Sequence, residues 1–225
     1  MQPISIDTCE ICGEGMAGLP RLDEIHTCAA CREARPRFQK ACAYGCYDGE
    51  LRELIHLLKY QQVTPAANLL GEMLAVAIEK LEIPHPVLMV PVPLHFSKRR
   101  RRGFNQAELI ARAALKRLAM PGIELAADLL VRQRITVSQI GPTRPQRAEN
   151  IRGAFRGEHP EKIAGRCVLL VDDVLRTGTT ASECARVLEK AGAEKVWVAT
   201  VARTLKQTGQ NFAAQPEFEI AARAS

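Results

Sequence analysis

Aromatic side chains are scarce in this chain: six Phe, three Tyr and one Trp among 225 residues. A surface that grips single strands mainly by stacking bases on aromatic rings is therefore not expected. No G-x-x-x-x-G-K-[ST] occurs anywhere, which argues against a P-loop nucleotide hydrolase. No apolar run approaches the ~18–20 residues of a membrane-spanning helix, so no membrane insertion is expected. The opening MQPISIDTCE lacks a basic stretch followed by an apolar one. No signal peptide is expected, and a cytoplasmic location is.

What is present suits one medium globular domain plus something small: 47% of residues are hydrophobic and 25% charged. The net charge of +6 is unevenly spread. Residues 98–102 are five successive cations, and 131–166 hold eight cations against three anions. The remainder of the chain is net acidic. A local basic surface suits a polyanion such as a phosphate ester or a nucleic acid, with a solvated face as the competing reading.

Eight cysteines in a cytosolic chain are better read as metal ligands or buried fillers than as disulfides. Cys9 and Cys12 form one CxxC, and fifteen residues later Cys28 and Cys31 form another. That spacing matches a four-cysteine structural zinc site. The metal would supply folding energy that a segment of about 30 residues cannot obtain from burial. Residues 13–18, GEGMAG, match G-x-G-x-x-G, but they lie between the pairs, without the strand and helix a dinucleotide fingerprint requires. Cys42, Cys46, Cys167 and Cys184 read as core fillers.

Hydrophobic periodicity places a strand over 41–47, helices over 51–60 and from Pro65, and a buried strand over 87–94. A helix over 107–118 follows. Residues 132–150 show no clear period and read as a long loop. A second buried strand covers 167–173, a helix runs from about Thr180 to Ala191, and a third strand covers 195–202. Strands alternating with helices indicate an α/β fold with a parallel sheet. The domain boundaries expected are 1–38, 39–203 and an unassigned tail, 204–225.

The chemistry concentrates in residues 168–180, VLLVDDVLRTGTT. A strand end, a Gly-containing turn and a helix N-terminus present backbone N–H groups to an anion. Gly178 permits a positive φ, and Thr177, Thr179 and Thr180 add hydroxyl donors. Asp172 and Asp173, at the crevice beside the turn, can accept hydrogen bonds from a diol. Phosphate on one side and diol on the other describe a ribose 5-phosphate.

This stretch resembles the phosphoribosyl pyrophosphate (PRPP) motif of type I phosphoribosyltransferases. Y-D-G-x-L-R-E-L-I-x-x-L-K-Y (47–60), P-V-P-L (91–94), R-G-F-N-Q-A (102–107), R-x-R-x-T-x-x-Q (132–139) and R-x-x-N-x-x-G-A-F (147–155) accompany it. With the front cysteines, over roughly 8–203, they are similar to the ComF family. Those proteins join a zinc-binding front to a phosphoribosyltransferase domain and are associated with DNA uptake in natural competence.

The resemblance implies a type I phosphoribosyltransferase fold behind a small zinc module. It implies PRPP as ligand, Mg²⁺ with it, and Zn²⁺ on Cys9, Cys12, Cys28 and Cys31. Asp172 and Asp173 would be the catalytic acids on the ribose hydroxyls. Arg176, Thr177, Gly178, Thr179 and Thr180 would hold the 5′-phosphate, and Pro93, Leu94 and His95 the pyrophosphate. A flexible loop with Arg132, Arg134, Gln139 and Arg147 would close over the site. Phosphoribosyl transfer to an unnamed acceptor is one expectation. The alternative is a non-catalytic module that senses PRPP or a nucleotide, or binds single-stranded DNA or competence proteins. Arg99, Arg100, Arg101, Arg102 and Phe104 are the nucleic-acid candidates. A homo-oligomer is compatible with either. Lys59 reads equally well as a solvated cation ending its helix.

Overall fold

The computed structural model describes residues 8–16, 26–118, 120–135 and 144–205. In chain order the elements are α1 (Ala29–Glu33), β1 (Ala41–Cys46), α2 (Gly49–Tyr60), α3 (Ala66–Ile78) and β2 (Val87–Pro91). Next come α4 (Phe96–Arg102), α5 (Gln106–Arg117), β3 (Ile123–Leu125), β4 (Leu130–Arg132), α6 (Arg144–Ile151) and β5 (Phe155–Gly157). The chain continues through α7 (Pro160–Ile163), β6 (Cys167–Leu175), α8 (Thr179–Lys190) and β7 (Lys195–Arg203). A parallel sheet runs in the order β1-β7-β6-β2-β3, and β4 with β5 forms a separate antiparallel pair.

The central strands β2, β6 and β7 are buried on both faces, which is why they read as continuous apolar runs. Strand alternation divides their side chains between two cores. Val168, Leu170, Val196 and Val198 join α8, the β4–β5 pair and the cysteine front on one face. Leu169, Val171, Trp197 and Ala199 pack with α2, α3 and α5 on the other. The expected stripes of α2 and α3 face that second core: Ile55, Leu58, Leu70, Leu74 and Ile78 are almost wholly buried. Among the described residues, no helix is long and apolar enough to cross a membrane.

Helices α3 and α5 meet closely at Gly71. A Cβ there would lie 2.4 Å from Ala113 Cβ and 2.8 Å from the Ala114 backbone nitrogen. In an open helix, Gly to Ala gains about 1 kcal/mol. Overpacking costs about 1–3 kcal/mol, and here a backbone atom must move. Overpacking should win, so Gly71→Ala should lower the melting temperature by a few degrees in a thermal scan. A raised melting temperature would contradict this close helix crossing.

The long loop expected over 132–150 is corrected in part. Arg132 ends strand β4, paired with Phe155, and residues 144–151 are helical. Three-residue strands and a polar eight-residue helix carry too little periodicity to be read from sequence. The same holds for α4, whose run of cations hides a helix.

Candidate functional site

At the front, Cys9 N–H bonds to Glu14 O at 2.7 Å and Gly13 N–H to Cys9 O at 2.8 Å. This makes a tight knuckle in which Gly13 has φ +69°. Cys28 caps α1, and Cys31 N–H returns to Cys28 O at 2.9 Å. All four thiols are buried, with sulfurs within 4.8 Å of one another. The Cys12 and Cys28 sulfurs are 3.7 Å apart; a zinc tetrahedron with ~2.3 Å bonds has edges of about 3.8 Å. Four buried soft donors this close together fit a structural metal.

This front is joined to the sheet. Ala41 N–H bonds to Ile11 O at 2.7 Å, tying the knuckle to the start of β1. Arg203, buried at the end of β7, donates to Cys12 Sγ at 3.5 Å and to Glu14 Oε2 at 3.1 Å. Its aliphatic stem lies beside Gly13. Cys167 and Cys184 are buried, as expected of fillers, whereas Cys42 and Cys46 are only half-buried. Cys42 Sγ donates to Ala77 O at 3.2 Å, and desolvation pushes its pKa up to about 12.

β6 runs two residues further than expected and carries Asp172 and Asp173 near its carboxyl end. Asp172 Oδ1 accepts the Asp173 backbone N–H at 2.9 Å. The two carboxylates have different surroundings. Asp173 is 4% exposed and forms an ion pair with Lys59 from the last turn of α2. Burial alone would raise its pKa, but the Lys59 ammonium overrides this and holds it below the usual carboxylate range. Burial, and then the charge of Asp173, push Asp172 well above that range. Asp172 lies in the field that acts on Arg132 and on Cys184 of α8. Lys59 is thus turned inward, 16% exposed, rather than solvated at its helix end.

Beyond the acids, Arg176 is exposed and Thr177, Gly178, Thr179 and Thr180 are half-buried. Gly178 caps α8 with φ +74°, ψ 0°. The first helical bond of α8 runs from Ser182 N–H to Gly178 O at 2.8 Å, so the N–H groups ahead of it have no acceptor within the helix. Thr177 and Thr179 hydroxyls bond each other at 2.8 Å. The ring of Phe38 underlies Gly178, so the linker from the cysteine front supports this turn.

Pro93, Leu94 and His95 follow β2 as it leaves the sheet beside β6, with Val92 N–H bonded to Val171 O at 2.8 Å. His95 Nδ1 caps α4 by accepting Ser97 N–H at 3.2 Å. A parallel bridge joins His95 to Arg132, so these two expected site residues are brought together. The Arg132 guanidinium lies 5.4 Å from the Phe155 ring centroid. Arg134 instead donates to Asn150 O and Arg152 O, both at 2.8 Å, where the carbonyls end α6. Arg147 falls on α6, but its side chain, like Gln139, lies outside the described residues.

In the basic helix, Arg99, Arg100 and Arg101 are exposed, while Arg102 is half-buried. Arg102 donates to Gln106 Oε1 at 2.5 Å and lies 5.7 Å from the Tyr60 ring centroid. Phe104 packs against the core and is a poor platform for a base. The more exposed aromatic is Phe96, at 70%, which the sequence reading passed over. Asn105 was also passed over. Buried, it accepts Ala107 N–H at 3.1 Å and donates to Val92 O at 3.1 Å, fixing the end of β2.

Residues 100–213 match the phosphoribosyl transferase domain family. Competence protein F of Haemophilus influenzae is 31% identical over 181 residues, which is 78% of this chain and 78% of that protein. DNA utilization protein YhgH of Escherichia coli strain K12 is 31% identical over 194 residues, 84% of this chain and 82% of its own. The protein of that name in Salmonella typhi is 32% identical over 210 residues, 88% and 90% of the two chains. Identity at this level over most of both chains makes the protein a member of the ComF family, built on a phosphoribosyl transferase domain.

Proposed function

We propose that the crevice at the carboxyl ends of β2 and β6 binds PRPP with Mg²⁺, and that the protein transfers phosphoribosyl to an acceptor in the service of DNA uptake. The observation that carries this reading is the acid pair on β6 followed by a turn capped by left-handed Gly178. Asp172 and Asp173 accept from the ribose hydroxyls. Residues 176–180 surround the 5′-phosphate with N–H and hydroxyl donors. Pro93, Leu94 and His95, with Arg132 bridged to His95, face the pyrophosphate. Mg²⁺, when bound, would offset the pyrophosphate charge, with this chain contributing through water or a carboxylate. In the transfer, the C1′–O bond breaks with its electron pair leaving on pyrophosphate. The acceptor's lone pair forms the new C1′ bond, and the acceptor loses a proton. This chain's residues supply position and charge balance. Zinc on Cys9, Cys12, Cys28 and Cys31 is structural and open to no substrate.

Pyrophosphate release from PRPP and Mg²⁺ across a panel of bases and single strands tests transfer. Release with one acceptor, and none from Asp172→Asn/Asp173→Asn, is the expected result. Clear PRPP binding with no release from any acceptor would leave a sensing module in place of an enzyme.

A second reading is favoured by one observation. Phe96, 70% exposed, opens a helix whose Arg99, Arg100 and Arg101 are also exposed. The relatives named for DNA utilization point the same way. With Phe96 and Tyr60 the only Phe, Tyr or Trp rings more than half exposed among the described residues, affinity for single-stranded DNA is mainly electrostatic and falls steeply with salt.

A further inference from the structure

We propose that Lys59 is a positioning residue of the acid pair: it fixes the Asp173 carboxylate for a vicinal diol and cancels its charge, so that a polyanion can enter. This rests on the ribose-phosphate reading above. α2 carries its buried stripe Leu51, Ile55 and Leu58 against the sheet, and the next residue, Lys59, reaches over the end of β6 to Asp173 Oδ2. A cation closing a helix ordinarily points to water, where it complements the dipole. Lys59 is instead almost enclosed, and so is its partner: their side chains are 16% and 5% exposed.

The surroundings favour a built arrangement over an incidental pair. The neighbouring residue, Tyr60, has the Arg102 guanidinium 5.7 Å from its ring centroid, and the charge of Asp173 acts on Arg102 as well. Tyr47, just ahead of α2, has its hydroxyl 2.9 Å from His56 Nε2 of that helix. A carboxylate offers about four acceptor directions. Lys59 takes one on Oδ2 and leaves others for sugar hydroxyls. Without that ammonium, a buried uncompensated carboxylate would meet a ligand that is itself strongly negative, and both would be disfavoured. The arrangement parallels the outer partners that orient metal ligands, whose loss typically costs about 10–100-fold in affinity.

The test is calorimetric titration of the full chain with PRPP and Mg²⁺, with ribose 5-phosphate, and with inorganic phosphate. Lys59→Met is expected to weaken PRPP and ribose 5-phosphate by about 10–100-fold while leaving inorganic phosphate within about twofold. Lys59→Arg should restore most of the difference. Lys59→Met/Asp173→Asn leaves no lone buried charge and should bind no more weakly than Asp173→Asn alone. This double variant keeps the proposal open to refutation should Lys59→Met not fold. A Lys59→Met protein that melts lower but keeps the wild-type ratio of ribose 5-phosphate to phosphate affinity would reduce Lys59 to a structural ion pair. So would a double variant clearly weaker than Asp173→Asn. A wild type that binds ribose 5-phosphate no better than phosphate would instead overturn the ribose reading, and the role of Lys59 with it.

Discussion

Serine in place of Cys12 or Cys31 should cost the protein its metal and much of its thermal stability. Structural zinc contributes about 10–16 kcal/mol of apparent binding energy in small cysteine modules, several times the effect of an ordinary core substitution. The loss should not stay local. The four cysteines share a core with Phe38, Ala41 and the β6 face of the sheet. Ile11 bonds to the start of β1, and Arg203 reaches from β7 to Cys12 and Glu14. Losing the Cys12 thiolate leaves Arg203 buried with less to bond. Metal analysis should find one zinc per wild-type chain and under a tenth of that in either variant, with a melting temperature lower by roughly 10 °C or more. Arg203→Met should loosen the metal by about 10–100-fold without removing a ligand. A metal-free wild type of unchanged melting temperature would refute the module.

The second large effect concerns the acid pair, where adjacent residues should respond with opposite signs. Asp173 has its pKa lowered, so it binds its proton more weakly folded than unfolded. Its contribution to stability is present above the unfolded value, about 3.9, and is lost as pH falls through the folded one. Asp172 has its pKa raised, so folding is favoured while it is protonated and that advantage is lost as pH rises through the folded value. Asparagine mimics the protonated acid. At neutral pH, Asp173→Asn should therefore destabilise, by about 3–5 kcal/mol for one partner of a buried pair. Asp172→Asn should be neutral or stabilising. Binding should fall in both. A hydrogen bond to a charged group is worth about 1.5–3 kcal/mol, so each single variant, losing one to the diol, should bind PRPP about 10–10²-fold more weakly, and the double variant about 10²–10⁴-fold. Denaturant titrations of both variants, beside PRPP titrations, check this. Equal and like-signed stability changes would contradict the split environment.

The alternation of buried strands and striped helices made the α/β architecture legible, because continuous apolar runs such as 168–171 suit only a sheet covered on both faces. The cysteine spacing made the four-thiol cluster legible for a local reason: each CxxC folds on itself, and four thiols in one small module have little choice of partner. Residues 176–180 were legible because a strand, a glycine and a helix start in succession leave one kind of turn. The ion pair of Lys59 with Asp173 was not, since 114 positions separate the two and only the packing of α2 on the sheet joins them. The same applies to Arg132 and His95, brought together by a bridge across separate elements. Nor could the sequence show that Arg134 serves the carbonyls of α6, because α6 has no apolar period of its own.

The central claim is that the crevice after β6 holds a ribose phosphate. Calorimetric titration of the wild-type chain with PRPP and Mg²⁺, repeated on Asp172→Asn/Asp173→Asn, tests it most directly. Saturable binding near one per chain is expected, weakening at least 100-fold in the double variant, while inorganic phosphate binds both alike. No saturable binding by the folded wild type, or equal PRPP affinity in the two proteins, would contradict it.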